Sequence, residues 1–403
     1  MSFDFDRIVD RTHTNAIAVD GFREYLLEDP GQTLPCPDAE AIAMWVADMA
    51  FATAPVALEA MLDRVEHPLF GYTLSLDSEF EDAFRSWCRR RYGWVPDLEH
   101  CLPAPGIVPA LYNLVDLVLE SGDKVVVHTP AYEPFRSAVT HRGCELITSP
   151  LTRRADGRVS ADLDQLAATL TDPAVRMFIL CHPHNPTGHA WSDDELRAMA
   201  ELCFANGVLI VSDEIHCDLL RTGRRHTPLA KLFGESDQIV TCMSSSKTFN
   251  LAGLGLANVI IPNDEIRARW QDRHFPMVNP ISLAAATAVF ARGDEWLEEL
   301  KSYLDANFAL VDQMLVDRLP ASVFRVPDAT YLAWIDLGAY VPTGLNLTSY
   351  FAQRSGVLLE GGEKFVADGG DCIRLNLACP RSQLEEALTG IIDATLALAH
   401  EPR

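Results

Sequence analysis

The stretch Val208-Leu-Ile-Val-Ser-Asp-Glu-Ile-His216 joins an uninterrupted apolar run to a polar end. Such a run is typical of a β-strand that is buried on both faces of a sheet. Three further runs have the same character and are predicted as strands: Lys124–His128, Met177–Cys181 and Gln238–Cys242. Helical segments lie between them, such as Ser192–Asn206, which opens with the capping-box pattern Ser192-Asp-Asp-Glu195. Alternating strands and helices predict an α/β fold with a mostly parallel sheet.

The chain changes character after residue 290. Asp294–Leu319 carries apolar side chains at helical spacing over about seven turns. Short strand-like runs follow at Tyr331–Ile335 and Cys372–Leu377, and a last helix is predicted from Ser382. We therefore predict a large domain over residues 46–290 and a smaller α+β domain made of residues 1–45 and 291–403. The first 45 residues are expected to be irregular, because prolines at positions 30, 35 and 37 break helices.

Charge and cysteine usage limit the functional classes. The 403 residues include 33 Lys and Arg against 57 Asp and Glu, a net charge of −24, which disfavours nucleic-acid binding. The longest apolar stretch, Ile281–Ala291, is too short for a membrane span, which needs about 20 residues, and no signal peptide is recognisable. The ten cysteines form no C-x-x-C pair and are typical of reduced thiols. We expect a cytoplasmic protein with neither a membrane nor a nucleic-acid partner.

Polar residues follow three of the predicted strands in the segments His182–Gly188, Ser212–His216 and Ser244–Asn250. Singly, each has a structural explanation: a turn, a helix cap for Asp213, and a solvated loop lysine for Lys247. Together they combine a lysine, an aspartate and an asparagine at the carboxyl edge of one sheet, where α/β proteins bind ligands. Pyridoxal phosphate needs a lysine for a Schiff base and a carboxylate for its pyridine nitrogen. The combination therefore predicts this cofactor.

The chain resembles the fold-type I pyridoxal-phosphate enzymes, and within them the MalY/PatB-like group of cystathionine β-lyases and class I–II aminotransferases. The resemblance covers nearly the whole chain, and its motifs are Phe3-Asp-Phe-Asp6, Arg11-Thr-His-Thr-Asn15, Met44-Trp-Val-Ala-Asp-Met49, Phe70-Gly-Tyr-Thr73, Pro105-Gly-Ile-Val-Pro-Ala110, Thr129-Pro-Ala-Tyr132, Pro183-His-Asn-Pro-Thr-Gly188, Ser212-Asp-Glu-Ile-His216, Ser246-Lys-Thr-Phe-Asn-Leu-Ala-Gly253 and Arg374-Leu-Asn-Leu-Ala-Cys-Pro-Arg381. It implies a fold-type I pyridoxal-phosphate enzyme with a large domain built on a mostly parallel, seven-stranded sheet and a smaller α+β domain.

The resemblance also implies residue roles at the cofactor ring. Lys247 forms the Schiff base and moves protons, and Asp213 pairs with the pyridine nitrogen. Asn185 donates to the phenolic oxygen and contacts the substrate, and Tyr132 stacks on the ring. His216 belongs to the cofactor site as well.

The resemblance also implies the phosphate ligands. The backbone N–H groups of Ile107 and Val108, where a helix begins, bind the phosphate, and Ser244 and Ser246 assist them. Tyr72 reaches the phosphate of a neighbouring subunit, which implies a homodimer. Arg374 clamps the carboxylate of an amino-acid substrate, a task suited to a forked guanidinium.

Four positions depart from the pattern of these enzymes. Gly255 stands where many fold-type I enzymes have an arginine on the phosphate, so binding of the phosphate must depend on the loop amides, the serines and Tyr72. His216 stands where typical aminotransferases have a tyrosine, which favours elimination over transamination. Ala50 replaces an acid that the group often carries, and His182 replaces a common asparagine.

Other interpretations of the same residues are weaker. The spacing of the histidines 182, 184, 189 and 216 matches no zinc motif, so we predict no metal. The segment Gly253–Asn258 lacks the third glycine of a dinucleotide fingerprint. Adjacent residues such as His216 and Cys217 usually point apart, so a buried structural thiol is favoured over a Cys–His nucleophile.

The favoured activity is carbon–sulfur β-lysis of L-cystathionine or a related S-substituted L-cysteine, which yields a thiol, pyruvate and ammonia. An aminotransferase acting on an L-amino acid is the alternative, because it would use the same groups. A regulatory protein that binds the cofactor and acts through a partner is a third hypothesis, against which the complete set of catalytic residues argues.

Overall fold

The computed structural model describes residues 3–74, 76–234, 236–274, 277–367 and 369–400. The strands are β1 (Ile42–Ala43), β2 (Cys101–Ala104), β3 (Lys124–Thr129), β4 (Glu145–Pro150), β5 (Thr152–Arg153), β6 (Val159–Ser160), β7 (Val175–Cys181), β8 (Leu209–Asp213), β9 (Ile239–Met243), β10 (Ala257–Ile260), β11 (Leu332–Asp336), β12 (Val357–Leu358), β13 (Glu360–Gly361) and β14 (Cys372–Asn376). The helices are α1 (Ile17–Asp20), α2 (Phe22–Tyr25), α3 (Pro55–Glu66), α4 (Ser78–Tyr92), α5 (Ile107–Val118), α6 (Glu133–Thr140), α7 (Leu163–Leu170), α8 (Asp193–Ala205), α9 (Leu229–Phe233), α10 (Asp264–Arg273), α11 (Pro280–Arg292), α12 (Asp294–Arg318), α13 (Leu347–Ser355) and α14 (Arg381–His400).

The central sheet of the described residues has seven strands in the order β2-β10-β9-β8-β7-β3-β4. Neighbouring strands from β9 to β4 are parallel, whereas β10 runs antiparallel to both β9 and β2. Every residue of β8 and β9 is buried, as their continuous apolar sequence requires. The four predicted strands are confirmed, with bounds that differ by one or two residues. The α/β fold with its mostly parallel sheet is therefore confirmed.

Helices cover this sheet and connect its strands. α8 begins with the predicted capping box, in which the hydroxyl of Ser192 accepts from the backbone N–H of Glu195 and the carboxylate of Glu195 accepts from the backbone N–H of Ser192. The long predicted helix is α12, which ends one residue before Leu319. Within the described residues, no helix is long and apolar enough to cross a membrane.

The C-terminal part of the chain contains an antiparallel sheet in the order β11-β14-β13, packed with α12, α13 and α14. β1 pairs in parallel with β12 and so attaches the N-terminal segment to this part. The division at residues 46 and 290 stays a prediction, which this pairing supports. The expectation that the first 45 residues are irregular is wrong for α1 and α2, because residues 17–25 contain no proline and can form two short helical turns.

Candidate active site

The carboxyl ends of β7, β8 and β9 meet beside a cavity of about 190 Å³. The register aligns Cys181 with Asp213, and Asp213 with Cys242, so three strands end at the same level. Asp213 stands at the end of β8 itself, and the loops after β7 and β9 carry Asn185 and Lys247 to the cavity wall. The predicted site residues that line the cavity are Ile107, Val108, Tyr132, Asn185, Asp213, His216, Ser246 and Lys247. The structure thus brings these eight residues together, as ligand binding at a carboxyl edge requires.

Asp213 is the last residue of β8, and its side chain is buried in the wall of the cavity. Burial raises the pKa of its carboxyl to about 7, although a hydrogen bond from the backbone N–H of Ile215 to Oδ1 and the charge of Lys247 oppose the shift. A buried carboxylate with so few partners gains from an added cation. Asp213 therefore fits a ligand that carries a positive ring nitrogen.

Lys247 lies four residues after β9, and its Nζ donates to the carbonyl oxygen of Ala47 at 2.6 Å. Burial lowers the pKa of the amine from its ordinary value near 10.5 to about 8, with Asp48 acting in the opposite direction. The hydroxyl of Tyr331 donates to the same carbonyl at 2.6 Å. An amine with this pKa is partly neutral near pH 7, as a nucleophile and proton carrier needs to be.

Arg374 lies on β14, outside the sheet that carries Lys247, and its side chain is buried. Its Nη1 donates to Oδ1 of Asn185 at 3.0 Å, and its Nη2 donates to the carbonyl oxygen of Trp45 at 2.9 Å. Its charge acts on both Lys247 and Tyr132. The predicted carboxylate clamp and the predicted donor to the cofactor's phenolic oxygen are therefore direct neighbours.

Tyr132 and His216 complete the part of the wall around Lys247. Tyr132 immediately precedes α6, and burial raises the pKa of its phenol. Burial and the nearby charges of Lys247 and Arg374 lower the pKa of His216 to about 3, so its imidazole is neutral. Among the described residues, Nδ1 of His216 has no hydrogen-bond partner although it is buried. The structure thus leaves one polar atom in the wall for a ligand or water.

The other end of the cavity is formed mostly by backbone. α5 begins there after Gly106, and no side chain in the described residues caps its N-terminus. Gly255 has φ +60°, and a Cβ on it would lie 3.1 Å from the carbonyl oxygen of Pro105, so the arginine of other fold-type I enzymes cannot simply replace it. Ser246 lines the cavity here. A free helix N-terminus beside a hydroxyl suits a phosphate group.

Two predicted phosphate ligands lie elsewhere in this chain. Ser244 does not line the cavity, because its hydroxyl donates to the carbonyl oxygen of Leu256 at 2.6 Å and accepts from the backbone N–H of Ser246 at 3.1 Å. Its contact with phosphate therefore stays a prediction. Tyr72 is 91% exposed and is absent from the cavity of its own chain, as a residue that serves a neighbouring subunit would be.

The donor set as a whole fits pyridoxal phosphate. One end of the cavity supplies an uncapped helix N-terminus for an anion, and the other supplies a buried carboxylate for a cationic ring nitrogen. Lys247 stands in the wall, and the lowered pKa of its amine increases the neutral form that attacks a carbonyl carbon. Lys247, Asp213 and Asn185 would hold the ring, and the start of α5 with Ser246 would hold the phosphate.

The histidines that suggested a metal site have separate partners. His182 bonds through Nε2 to the carbonyl oxygen of Thr227 at 3.0 Å, and His184 bonds through Nδ1 to the hydroxyl of Thr187 at 2.9 Å. In the part of the chain that the structure describes, no group of three or more His, Cys, Asp or Glu side chains is arranged to hold a metal. Cys217 is buried, and burial raises the pKa of its thiol far above the ordinary value, which disfavours a nucleophilic role.

Sequence analysis missed the segment that lies across the small-sheet side of the cavity. Its backbone carbonyls accept hydrogen bonds from site residues: Arg374 bonds to Trp45, Lys247 and Tyr331 bond to Ala47, and Asn376 bonds to Val46 and Asp48. In the sequence, residues 44–49 stand out only as one motif of the family resemblance. Backbone acceptors leave no mark in residue identity, so no sequence signal reveals them. Glu360, which forms an ion pair with Arg374, was missed as well.

Comparisons with known proteins agree with this geometry. Residues 41–391 match the family model for aminotransferases of class I and II. Cystathionine β-lyase PatB of Bacillus subtilis is 38% identical over 357 residues, which cover 87% of this chain and 92% of PatB. Protein MalY of Escherichia coli is 31% identical over 401 residues, covering 98% and 100% of the two chains. The structure of the PLP-bound C–S lyase from Staphylococcus hominis has a TM-score of 0.93 and 37% identity, and covers 98% of this chain and 99% of that one.

Proposed function

Because the chain belongs to the aminotransferase class I and II family, we propose that it is a pyridoxal-phosphate-dependent carbon–sulfur β-lyase. It would cleave L-cystathionine or a related S-substituted L-cysteine to a thiol, pyruvate and ammonia. One observation carries the proposal: a single cavity combines the amine of Lys247 with the buried carboxylate of Asp213, and the Asn185–Arg374 pair adjoins it. The similarity to proteins named cystathionine β-lyase and C–S lyase favours elimination over transamination as the reaction of these residues.

When bound, pyridoxal phosphate accepts the negative charge that develops at Cα of the substrate. Asp213 supports this chemistry by holding a proton on the ring nitrogen. Since burial raises the pKa of Asp213 to about 7, its carboxylate is stabilised by the opposite charge that such a nitrogen provides. A neutral residue at this position would leave the nitrogen without that partner.

Lys247 moves the protons of the reaction. Its amine has a pKa of about 8 and can therefore take up a proton from Cα and release it again near neutral pH. The amine donates to the carbonyl oxygen of Ala47, and the hydroxyl of Tyr331 donates to the same oxygen. The amine can consequently leave this carbonyl without creating a buried acceptor that lacks a hydrogen bond.

Arg374 and Asn185 orient the substrate. A guanidinium binds a carboxylate through two parallel hydrogen bonds, which fixes direction as well as position. Fixing the carboxylate also fixes the Cα–H bond relative to Lys247, and such orientation contributes strongly to rate. The cation–carboxylate contact thus selects α-amino acids among the amines that could enter the cavity.

A product assay tests the activity. The purified holoenzyme is incubated with L-cystathionine in the absence of any 2-oxo acid, and pyruvate, ammonia and thiol are measured. We expect the three products in equal amounts over many turnovers. L-Alanine, which has no β-leaving group, serves as the control and should give no sustained pyruvate. A requirement for 2-oxoglutarate would contradict the lyase and identify the aminotransferase, which uses the same residues.

We further propose that two copies of the chain form a homodimer in which Tyr72 serves the neighbouring site. α3 exposes Leu58, Leu62 and Val65 at helical spacing, and Leu69 and the Tyr72 segment continue this apolar surface. Exposed apolar stripes of this length mark interfaces between proteins. A second copy fits as the partner, because Tyr72 lies within this surface and is not among the described residues that line the cavity of Lys247 in its own chain.

Mixed dimers test this assembly. Chains with Tyr72→Phe and chains with Lys247→Ala are prepared separately, unfolded together and refolded. One site of each mixed dimer then has both residues intact, so part of the activity should return. A monomer by light scattering at working concentration would contradict the dimer.

A reducing, cytoplasmic location is proposed from the cysteines. All ten are free thiols, and nine of them are buried. Free buried thiols are typical of proteins that fold in a reducing compartment.

A further inference from the structure

The guanidinium of Arg374 has three partners of its own before any substrate binds. Two are the side-chain oxygen of Asn185 and the carbonyl oxygen of Trp45. The third is a carboxylate, since Glu360 forms an ion pair with Nη2. The aromatic ring of Phe365 lies beneath the guanidinium at 5.2 Å. The group that is proposed to receive the substrate carboxylate therefore already holds one.

Strand pairing places Glu360 at this position. β13 runs antiparallel to β14, and the register sets Glu360 directly opposite Arg374. The side chain of Glu360 is 19% exposed and that of Arg374 is 3% exposed, and Oε2 of Glu360 is itself buried. Burial raises the pKa of Glu360, and the charge of Arg374 opposes this shift. Arg374 thus stabilises the ionised form of Glu360. The guanidinium, in contrast, is also held by its hydrogen bonds to Asn185 and Trp45.

The backbone around Glu360 is held in place. The N–H of Gly361 donates to the hydroxyl of Thr348 at 2.9 Å. Gly362 packs against the backbone of Gly369 so closely that a Cβ on it would lie 2.4 Å from the carbonyl carbon. Any release of Arg374 must therefore occur by rotation of the Glu360 side chain. Lys364, on the same loop, acts on Glu360 through its charge.

We propose that Glu360 is an internal substitute for the substrate carboxylate: it occupies Arg374 in the substrate-free enzyme and is displaced when an amino acid binds. The inference rests on the proposed function, because it takes Arg374 as the carboxylate anchor. The inference also extends the proposed function to the selectivity of the enzyme among amines. An amine without a carboxylate offers nothing in exchange for the Glu360–Arg374 pair, so that pair remains and the amine gains no contact with Arg374.

Binding of a carboxylate probe to the holoenzyme tests this exchange. The probe is 3-(methylthio)propanoate, which resembles S-methylcysteine but has no amino group and cannot be turned over. Calorimetry compares the wild type with Glu360→Gln and with the matched control Glu363→Gln. Glu363 is a carboxylate of the same loop that accepts from the backbone N–H of Thr348, and no ion pair joins it to Arg374 within the described residues.

We expect Glu360→Gln to bind the probe about tenfold more tightly than both other proteins, the size of one charge-assisted hydrogen bond. The carboxylate-free amine 2-(methylthio)ethanamine should bind all three alike. Equal or weaker binding of the probe by Glu360→Gln would overturn the proposal.

A variant that fails to fold does not end the test. Glu360→Asp keeps the charge but shortens the side chain, and it should show a smaller gain in the same direction. Pyruvate formation is measured separately on the same preparations. Tighter probe binding without pyruvate formation would reject the β-lyase and support the exchange of Glu360. Pyruvate formation without tighter probe binding would support the β-lyase and reject the exchange.

Discussion

The two sides of the cavity are built in different ways. On the large-sheet side, Asn185, Asp213 and Lys247 each stand at the end of a buried strand or within four residues of it. On the small-sheet side, Arg374 bonds to the carbonyl of Trp45 and Tyr331 to the carbonyl of Ala47, across 329 and 284 positions of the chain respectively. The first side follows from local sequence, and the second follows from long-range packing. Changes on the first side should therefore affect chemistry, and changes on the second should affect position and stability together.

The largest effect is expected from Lys247→Ala, on the large-sheet side. Loss of the nucleophile and proton carrier should lower kcat/KM by at least roughly 10⁴-fold. The melting temperature should change little, because the carbonyl of Ala47 keeps the hydroxyl of Tyr331 as donor. Steady-state kinetics and calorimetry check both expectations. Borohydride reduction of the wild type should attach the cofactor to Lys247, and recovery of the label on another lysine would contradict the assignment.

Arg374→Ala tests the small-sheet side and should cost both activity and stability. Removing the cation leaves Glu360 and Asn185 without their partner, a loss that for buried charge pairs amounts to about 3–5 kcal/mol. We expect kcat/KM to fall roughly 10²–10³-fold for elimination and transamination alike, and the melting temperature to fall with it. A loss of activity at unchanged stability would show that the small-sheet side, like the large-sheet side, affects chemistry alone.

The pH dependence of cofactor loading sharpens the comparison on the large-sheet side. Only the neutral amine attacks a carbonyl, and burial lowers the pKa of Lys247 from about 10.5 to about 8. The neutral fraction, and with it the rate of covalent loading, should rise roughly fiftyfold between pH 6 and pH 8 and then level off. Borohydride trapping of cofactor-free protein at a series of pH values measures this rate. A rate that continues to climb to pH 10 would show an amine of ordinary pKa.

The smallest effect is expected from Tyr331→Phe. The variant loses one hydrogen bond to the carbonyl of Ala47 and keeps the buried ring. Such a bond contributes about 1 kcal/mol, so kcat/KM should fall by about fivefold. Because the carbonyl then depends on Lys247 alone, the pKa of the amine should rise, which the loading profile detects. An unchanged profile would mean that Tyr331 does not position this segment.

The contrast explains what the sequence could predict. Apolar runs and the polar residues that follow them are local patterns, so the strands and the cluster around Lys247 could be placed in advance. The reversed direction of β10 could not, because Ala257–Ile260 is a short, fully buried strand like the parallel strands β8 and β9. Ser244 was expected at the phosphate, but its hydroxyl bonds to Leu256, twelve residues later.

Glu360 shows most clearly which site residues cannot be predicted from the sequence. Nothing in its local sequence indicates a role, and only the pairing of β13 with β14 sets it on Arg374. Residues that act through a partner on another strand become visible only when the register is known.

The fate of the substrate nitrogen tests the central claim most directly. The holoenzyme is given L-cystathionine labelled with ¹⁵N at the amino group of its cysteine portion, together with excess unlabelled 2-oxoglutarate as a competing acceptor. A β-lyase releases the label as ammonia in proportion to pyruvate, even with the acceptor present. Recovery of the label in glutamate, with ammonia unlabelled, would contradict the account and establish transamination as the activity of the chain.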